Sequence, residues 1–122
     1  MIRVAKRNII AYKQFLPDGT SPVQDHPWGK LKRGRRLVAR AFDKESFICT
    51  DGVHSFSLKG YAISDESITS NAHKVVWRVI IPKGTKYYQS TNEEARNSYD
   101  CNAKGLILRS KLVVLQKQVF GN

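Results

Sequence analysis

Residues 74–88, KVVWRVIIPKGTKYY, decide how the rest of the chain is read. Val75, Val76, Trp77, Val79, Ile80 and Ile81 are all apolar, and most are β-branched. Such side chains fit a packed, pleated surface and lose rotamer freedom in a helix. The run is too short for a helix and lacks helical spacing of polar residues. It predicts a strand over Lys74–Ile81 that is covered on both faces, and hence central in a sheet. Arg78, the one charge inside it, is expected to lay its stem along apolar surface and carry its guanidinium to water or to an acid. Pro82 ends the strand because it has no N–H for a ladder. Pro82-Lys83-Gly84-Thr85 reads as a turn with Gly84 at positive φ, after which Tyr87 and Tyr88 resume an extended segment.

Working outward, residues 8–16, NIIAYKQFL, read as a second strand, and Pro17-Asp18-Gly19-Thr20 as the turn that closes it. Ser21–Gly29 is a loop containing His26 and Trp28. Within Lys30–Arg40, KLKRGRRLVAR, Gly34 marks a turn or bulge and Leu37-Val38-Ala39 a strand. Strand alternation then places Arg36, Val38 and Arg40 on one face and Arg35, Leu37 and Ala39 on the other. Phe47–Thr50, Asp51-Gly52 and Val53–Phe56 have the pattern of a hairpin with a two-residue turn. Ser57 is placed to cap a short helix over Leu58–Ile63, with Tyr61 and Ala62 inward. Thr91-Asn92-Glu93-Glu94 fits a capping box opening a brief helix near Asn92–Ser98. Gly105–Leu108 and Lys111–Phe120 read as final strands, with Arg109-Ser110 at the bend between them. The expected fold is a single β-rich α+β domain over residues 1–122: five to seven short strands in one curved, mostly antiparallel sheet, with one or two short helices. A partly closed all-β barrel is the alternative.

The charge is uneven. Twenty-one lysines and arginines face ten acids, a formal +11, and up to Arg40 the chain has ten cations but only Asp18 and Asp25. A surface of this kind attracts polyanions and steers their approach. The segment Lys30–Arg40 supplies Lys30, Lys32, Arg33, Arg35, Arg36 and Arg40 to meet phosphates, and the nearby Trp28 offers a plane on which a base can stack. The competing reading is an edge strand guarded against aggregation by its cations. Arg109, Lys111 and Lys117 extend the patch if the last strands lie beside it, and Arg3, Lys6 and Arg7 form an N-terminal cationic arm.

Signals for chemistry are weaker. His26, His54 and His73 are the candidates for acid and base, as in metal-free RNA cleavage, with His54 just after the Asp-Gly turn and His26 in the loop. Nothing in their spacing sets them near one another, and a lone strand histidine is more often a packing residue. Cys49 and Cys101 lack the paired close spacing of a zinc site, so no metal or other cofactor is expected, and they read as two reduced thiols. No apolar stretch approaches the roughly 20 residues that span a bilayer. Residues 1–13, MIRVAKRNIIAYK, lack an apolar signal core, so no membrane partner and a cytoplasmic location are expected.

Three stretches carry a resemblance: Ile10-Ala11-Tyr12-Lys13, Cys49-Thr50-Asp51-Gly52-Val53-His54-Ser55-Phe56, and Val79-Ile80-Ile81-Pro82-Lys83-Gly84-Thr85-Lys86-Tyr87-Tyr88. In that order, over most of residues 9–115, the chain resembles small uncharacterised accessory proteins of phages and mobile elements. The motifs are short and mainly structural. The resemblance implies a non-enzymatic factor that engages a host machine inside the cell, the set to which anti-CRISPR inhibitors belong. It transfers no catalytic residue. Combined with the positive charge, the expectation is a basic protein that binds nucleic acid, RNA or DNA, or a nucleoprotein. Its specific version is an inhibitor of a host defence nuclease such as a CRISPR effector. The alternatives are a small RNase-like or nucleotide-modifying enzyme, and a virion or structural nucleic-acid-binding protein.

Overall fold

The strand expected at the centre is central. In the computed structural model, which describes residues 2–21, 27–42, 52–64, 74–90 and 107–121, Val75–Ile81 lies between Ile9–Phe15 and Leu112–Phe120. The described strands are β1 (Arg3–Val4), β2 (Ile9–Phe15), β3 (Arg36–Val38), β4 (Val53–Phe56), β5 (Val75–Ile81), β6 (Lys86–Gln89), β7 (Ile107–Ser110) and β8 (Leu112–Phe120); one helix, α1 (Lys59–Ser64), follows β4. They form one antiparallel sheet in the order β1-β6-β7-β4-β2-β5-β8-β3. The β-rich α+β expectation with a single curved sheet is met, with eight described strands rather than five to seven. The addition at the N-terminus is β1, two residues paired as Arg3↔Tyr87 and Val4↔Lys86.

The connections dictate the curvature. In the sheet order β5 and β6 are four steps apart, and so are β7 and β8. Laid flat, four steps of about 4.8 Å would separate such strands by about 19 Å. Yet β5 runs into β6 through a turn closed by the Thr85 N–H donating to the Pro82 carbonyl at 3.0 Å, which holds the turn's ends within about 7 Å. Gly84 takes φ +88° there, as the turn requires. β7 runs into β8 through Lys111 alone. The sheet therefore coils on itself without closing. Register irregularities between Val76 and Trp77 and between Arg78 and Val79, where β5 meets β8, bend the ladder further.

Coiling sorts the side chains by alternation. Ala11, Phe15, Val75, Trp77, Val79, Ile81, Leu108, Val113 and Leu115 fill the inside, and residues near both ends of the sheet, Ala5 and Leu37, join the same cluster. On the outer face α1 lays Ala62 over Phe56, Val76 and Ile107, with Tyr12, Tyr61 and Ile63 around them. The helix lies one residue later than expected. The Ala62 N–H donates to the Leu58 carbonyl, so Leu58 rather than Ser57 stands at the cap position. The chain also bends one residue later than expected at the last turn: Arg109 and Ser110 are strand residues paired with His54 and Val53, and Lys111 makes the bend. Arg78 meets an amide, not an acid, its Nε donating to Gln116 Oε1. β4 is flanked by both β2 and β7. The first arm of the expected hairpin (47–50) and the helix near 92–98 lie outside the described residues.

In β3 the burial alternates as expected, with Leu37 and Ala39 buried and Arg36, Val38 and Arg40 exposed. Leu37→Ala should therefore cost about 2–4 kcal/mol of unfolding free energy in urea, as large-to-small core changes do. Val38→Ala should stay within about 0.5 kcal/mol of wild type. Equal effects of the two would contradict the inward phase of this strand.

Candidate nucleic-acid interface

The basic segment is anchored before it is charged. Trp28 and Leu31 are half-buried and pack against the inner core. Trp28 Nε1 donates to Ser21 Oγ at 3.0 Å, so the indole predicted as a stacking plane has its N–H and part of its surface engaged within the fold. Between these anchors and β3 the chain makes a turn, with the Arg35 N–H donating to the Lys32 carbonyl and the Gly34 N–H to the Leu115 carbonyl on β8. Gly34 adopts φ +84°, and a Cβ built on it would meet nothing within 4 Å. Its requirement for glycine is conformational, and the space beside it is open. Arg35 Nη1 donates back to the Lys30 carbonyl at 2.7 Å, bracing the loop. The remaining cations, Lys30, Lys32, Arg33, Arg36 and Arg40, are exposed.

The last strand does lie beside this segment, through Arg36↔Val114, Leu37↔Val113 and Val38↔Leu112. It brings some of the predicted partners and not others. Lys111 and Lys117 are exposed, and Lys111 Nζ donates to the Ala39 carbonyl at 2.7 Å. Arg109 is fully buried. Its guanidinium lies 5.4 Å from the centre of the Phe42 ring and 4.8 Å from that of Tyr88, so it belongs to the interior and not to the patch.

One set of residues was missed in the sequence. Cross-strand pairing lines up Ile10, Ile80, Val114 and Arg36 in one row on the outer face. Ile10 is exposed, and Ile80 and Val114 are half-buried. The row runs from apolar side chains directly into the basic segment. The signal was the opposite phase of the same alternation that defined the core.

Asp18 is the one acid among the described residues; the other nine of the chain's ten acids lie outside them. That carboxylate accepts the Thr20 N–H at 2.9 Å within its own turn, which holds its pKa below the usual carboxylate range.

His54 lies on β4, opposite Arg109, half-buried, and its carbonyl accepts the Lys13 ammonium at 2.9 Å. His26 and His73 lie outside the described residues, as do Cys49 and Cys101. No group of three metal-ligating side chains occurs among the described residues, and no helix among them is long and apolar enough to cross a membrane. Comparison with protein-family models, curated proteins and solved structures found no match.

Lys13 was not singled out in the sequence. It sits at the inward phase of β2 between Ala11 and Phe15, opposite Trp77 on β5, and is 4% exposed. Burial away from water lowers its pKa from 10.5 to about 7. In the unfolded chain the amine binds its proton up to about 10.5, so between about 7 and 10.5 the unfolded state binds more protons. Stability should thus rise with pH across that window, and the cost of burying the charged amine is fully present below it. Lys13→Met keeps the stem and removes the charge. At pH 6 it is expected to raise the unfolding free energy by on the order of 2 kcal/mol and to flatten the rise between pH 7 and 10. A variant that is less stable at pH 6 would show that the bond to the His54 carbonyl outweighs desolvation.

Proposed function

We propose that this protein is a non-enzymatic nucleic-acid-binding protein whose interface is the β3–β8 edge. Lys30, Lys32, Arg33, Arg36 and Arg40 meet phosphates there, with Lys111 and Lys117 flanking them and Arg35 bracing the loop. The observation that carries this reading is the run of exposed cations along one edge: Lys30, Lys32, Arg33, Arg36 and Arg40 in and beside β3, with Lys111 and Lys117 exposed at the start of β8 and along it, in a chain of formal net charge +11. A face that only required solubility would be served equally well by mixed signs. Clustered exposed cations repel one another, and a polyanion relieves that repulsion while releasing its own counterions. The outer row Ile10–Ile80–Val114 adds an apolar surface beside Arg36, a place for the faces or edges of unstacked bases. Single-stranded nucleic acid, or the exposed strand of a ribonucleoprotein, fits this pairing better than a regular duplex does.

The resemblance to phage and mobile-element accessory proteins supports a narrower version, in which the bound strand belongs to a host defence nuclease of the CRISPR type and binding blocks cleavage. That version adds to the charge reading and does not replace it. In this proposal the protein works in the host cytoplasm.

Fluorescence anisotropy with labelled single-stranded RNA and DNA across a potassium chloride series tests the binding. Log affinity should fall linearly with log salt. Replacing Lys32, Arg33 and Arg36 together with glutamate should lower affinity by at least tenfold and reduce the slope by about 2, at roughly 0.7 per lost phosphate contact. All three side chains are exposed, so the circular dichroism and urea midpoint should hold. A folded triple variant that binds like wild type would remove the site from this edge. Salt-insensitive binding would remove phosphate contacts as its source.

A further inference from the structure

At the other edge strand of the sheet the described residues form a second basic surface, and this one is concave. Arg3, Val4, Lys6, Arg7, Ile9 and Tyr87 line an open cleft of about 660 Å³. None of the six is acidic, and Asp18, the one described acid, is not among them. The sequence suggests a cationic arm here, and its backbone is tied down. The Ala5 N–H donates to the Thr85 carbonyl at 2.9 Å, the Gly84 N–H to the Ala5 carbonyl at 2.8 Å, and the Lys83 N–H to Asn8 Oδ1 at 2.9 Å. These three bonds fasten the Ala5–Asn8 connection to the β5–β6 turn. Lys6 and Arg7 are therefore presented from a fixed bend, with Arg3 opposite Tyr87 in the β1–β6 ladder. A fixed arrangement of cations loses less entropy on meeting an anion than a mobile tail does.

The cleft has two kinds of wall. Arg3, Lys6 and Arg7 supply three positive charges, which match a phosphate monoester carrying nearly two negative charges at pH 7. Tyr87 and Ile9 are half-buried and pack against the inner core, and Val4 is exposed beside them. They supply a flat or aliphatic surface of the sort that takes a nucleobase or ribose. A nucleotide has this same division, one charged end and one flat, mostly apolar end. The internal phosphates of a strand carry one charge each and need no pocket, whereas a terminal phosphate carries more charge on a group free to enter one.

We propose that this cleft is a phosphomonoester site that takes the 5′-phosphate of a nucleotide, free or at the end of a strand, with the phosphate on Arg3, Lys6 and Arg7 and the nucleoside against Tyr87, Val4 and Ile9. It is a separate site from the β3–β8 edge and does not require that edge to bind anything.

The test is titration of uridine 5′-monophosphate, uridine, inorganic phosphate, and a pentauridylate with either a 5′-phosphate or a 5′-hydroxyl. Affinity is read by calorimetry, and location by amide NMR shifts. The 5′-phosphorylated strand should bind at least tenfold more tightly than its 5′-hydroxyl twin, with shifts at residues 3–9 and 86–88. Lys6→Gln with Arg7→Gln should erase that difference while leaving the 5′-hydroxyl strand's affinity nearly unchanged. Tyr87→Leu should weaken the nucleotide and spare inorganic phosphate. If uridine monophosphate matches the phosphorylated strand, the ligand is a free nucleotide; if only the strand binds tightly, it is a strand end. Equal binding of the two strands, a difference that survives the double variant, or inorganic phosphate binding as tightly as the nucleotide would overturn the proposal. The 5′-hydroxyl strand reports on the β3–β8 edge alone, so failure there is distinguishable from failure here.

Discussion

A sheet that ties strands four places apart through a single residue or a tight turn has no choice but to coil. Lys111 between β7 and β8, and the Pro82–Thr85 turn between β5 and β6, impose that constraint. From it follows the enclosed inner core, shared by residues near both edge strands. From it also follows the outer face, on which α1 packs over Phe56, Val76 and Ile107. The apolar run of β5 is then explained. A strand in the middle of a coil is buried inside by Trp77, Val79 and their neighbours, and outside by the helix over Val76.

The same coil concentrates charge. Packing the apolar phase of the strands inward leaves the other phase, the turns and the edges to carry most of the described cations, Lys13 and Arg109 excepted. A formal net charge of +11 disfavours the folded state through self-repulsion. Two edge strands, β1 and β3, are both short and both flanked by lysine or arginine. This also protects the open edges from pairing with other chains. Edge protection and anion binding need the same residue types, which is why composition alone does not separate them. The Arg3–Lys6–Arg7 surface is also concave, which guarding an edge does not require.

Most of the fold was legible because it rests on local rules. Short runs rich in β-branched and aromatic residues identified β2 and β5, Leu37-Val38-Ala39 after Gly34 identified β3, and Pro82 with Gly84 identified the turn. The faces of Arg36, Leu37 and Val38 followed from period two. What was not legible was long-range. The two residues of β1 have no periodicity to read and are strand only because Tyr87 and Lys86 pair with them. Arg109 looked like surface because arginine usually is surface; its burial depends on Phe42, distant in sequence, and on Tyr88 across the ladder. The cationic residues of both candidate surfaces could be named from the sequence, but the cleft that joins Arg3, Lys6 and Arg7 to Tyr87 required the sheet order.

The two buried cations show how one fold accommodates charge in different ways. The Arg109 guanidinium is planar and lies near two aromatic rings, an environment that replaces part of its hydration with ring quadrupoles. The Lys13 ammonium is a compact, strongly hydrated group. Inside the coil it has the His54 carbonyl at 2.9 Å and the Phe15 ring at 5.3 Å. That substitutes poorly for three water contacts, and the proton is held less tightly as a result. An apolar side chain at position 13 would fill the inward phase between Ala11 and Phe15 without this cost. The amine instead ties the inside of β2 to the backbone of β4, the neighbour to which β2 is joined in the ladder only at Tyr12↔Phe56. The sheet order thus gives Lys13 a structural role between β2 and β4, where one side-chain bond joins strands that share a single ladder pair among the described residues.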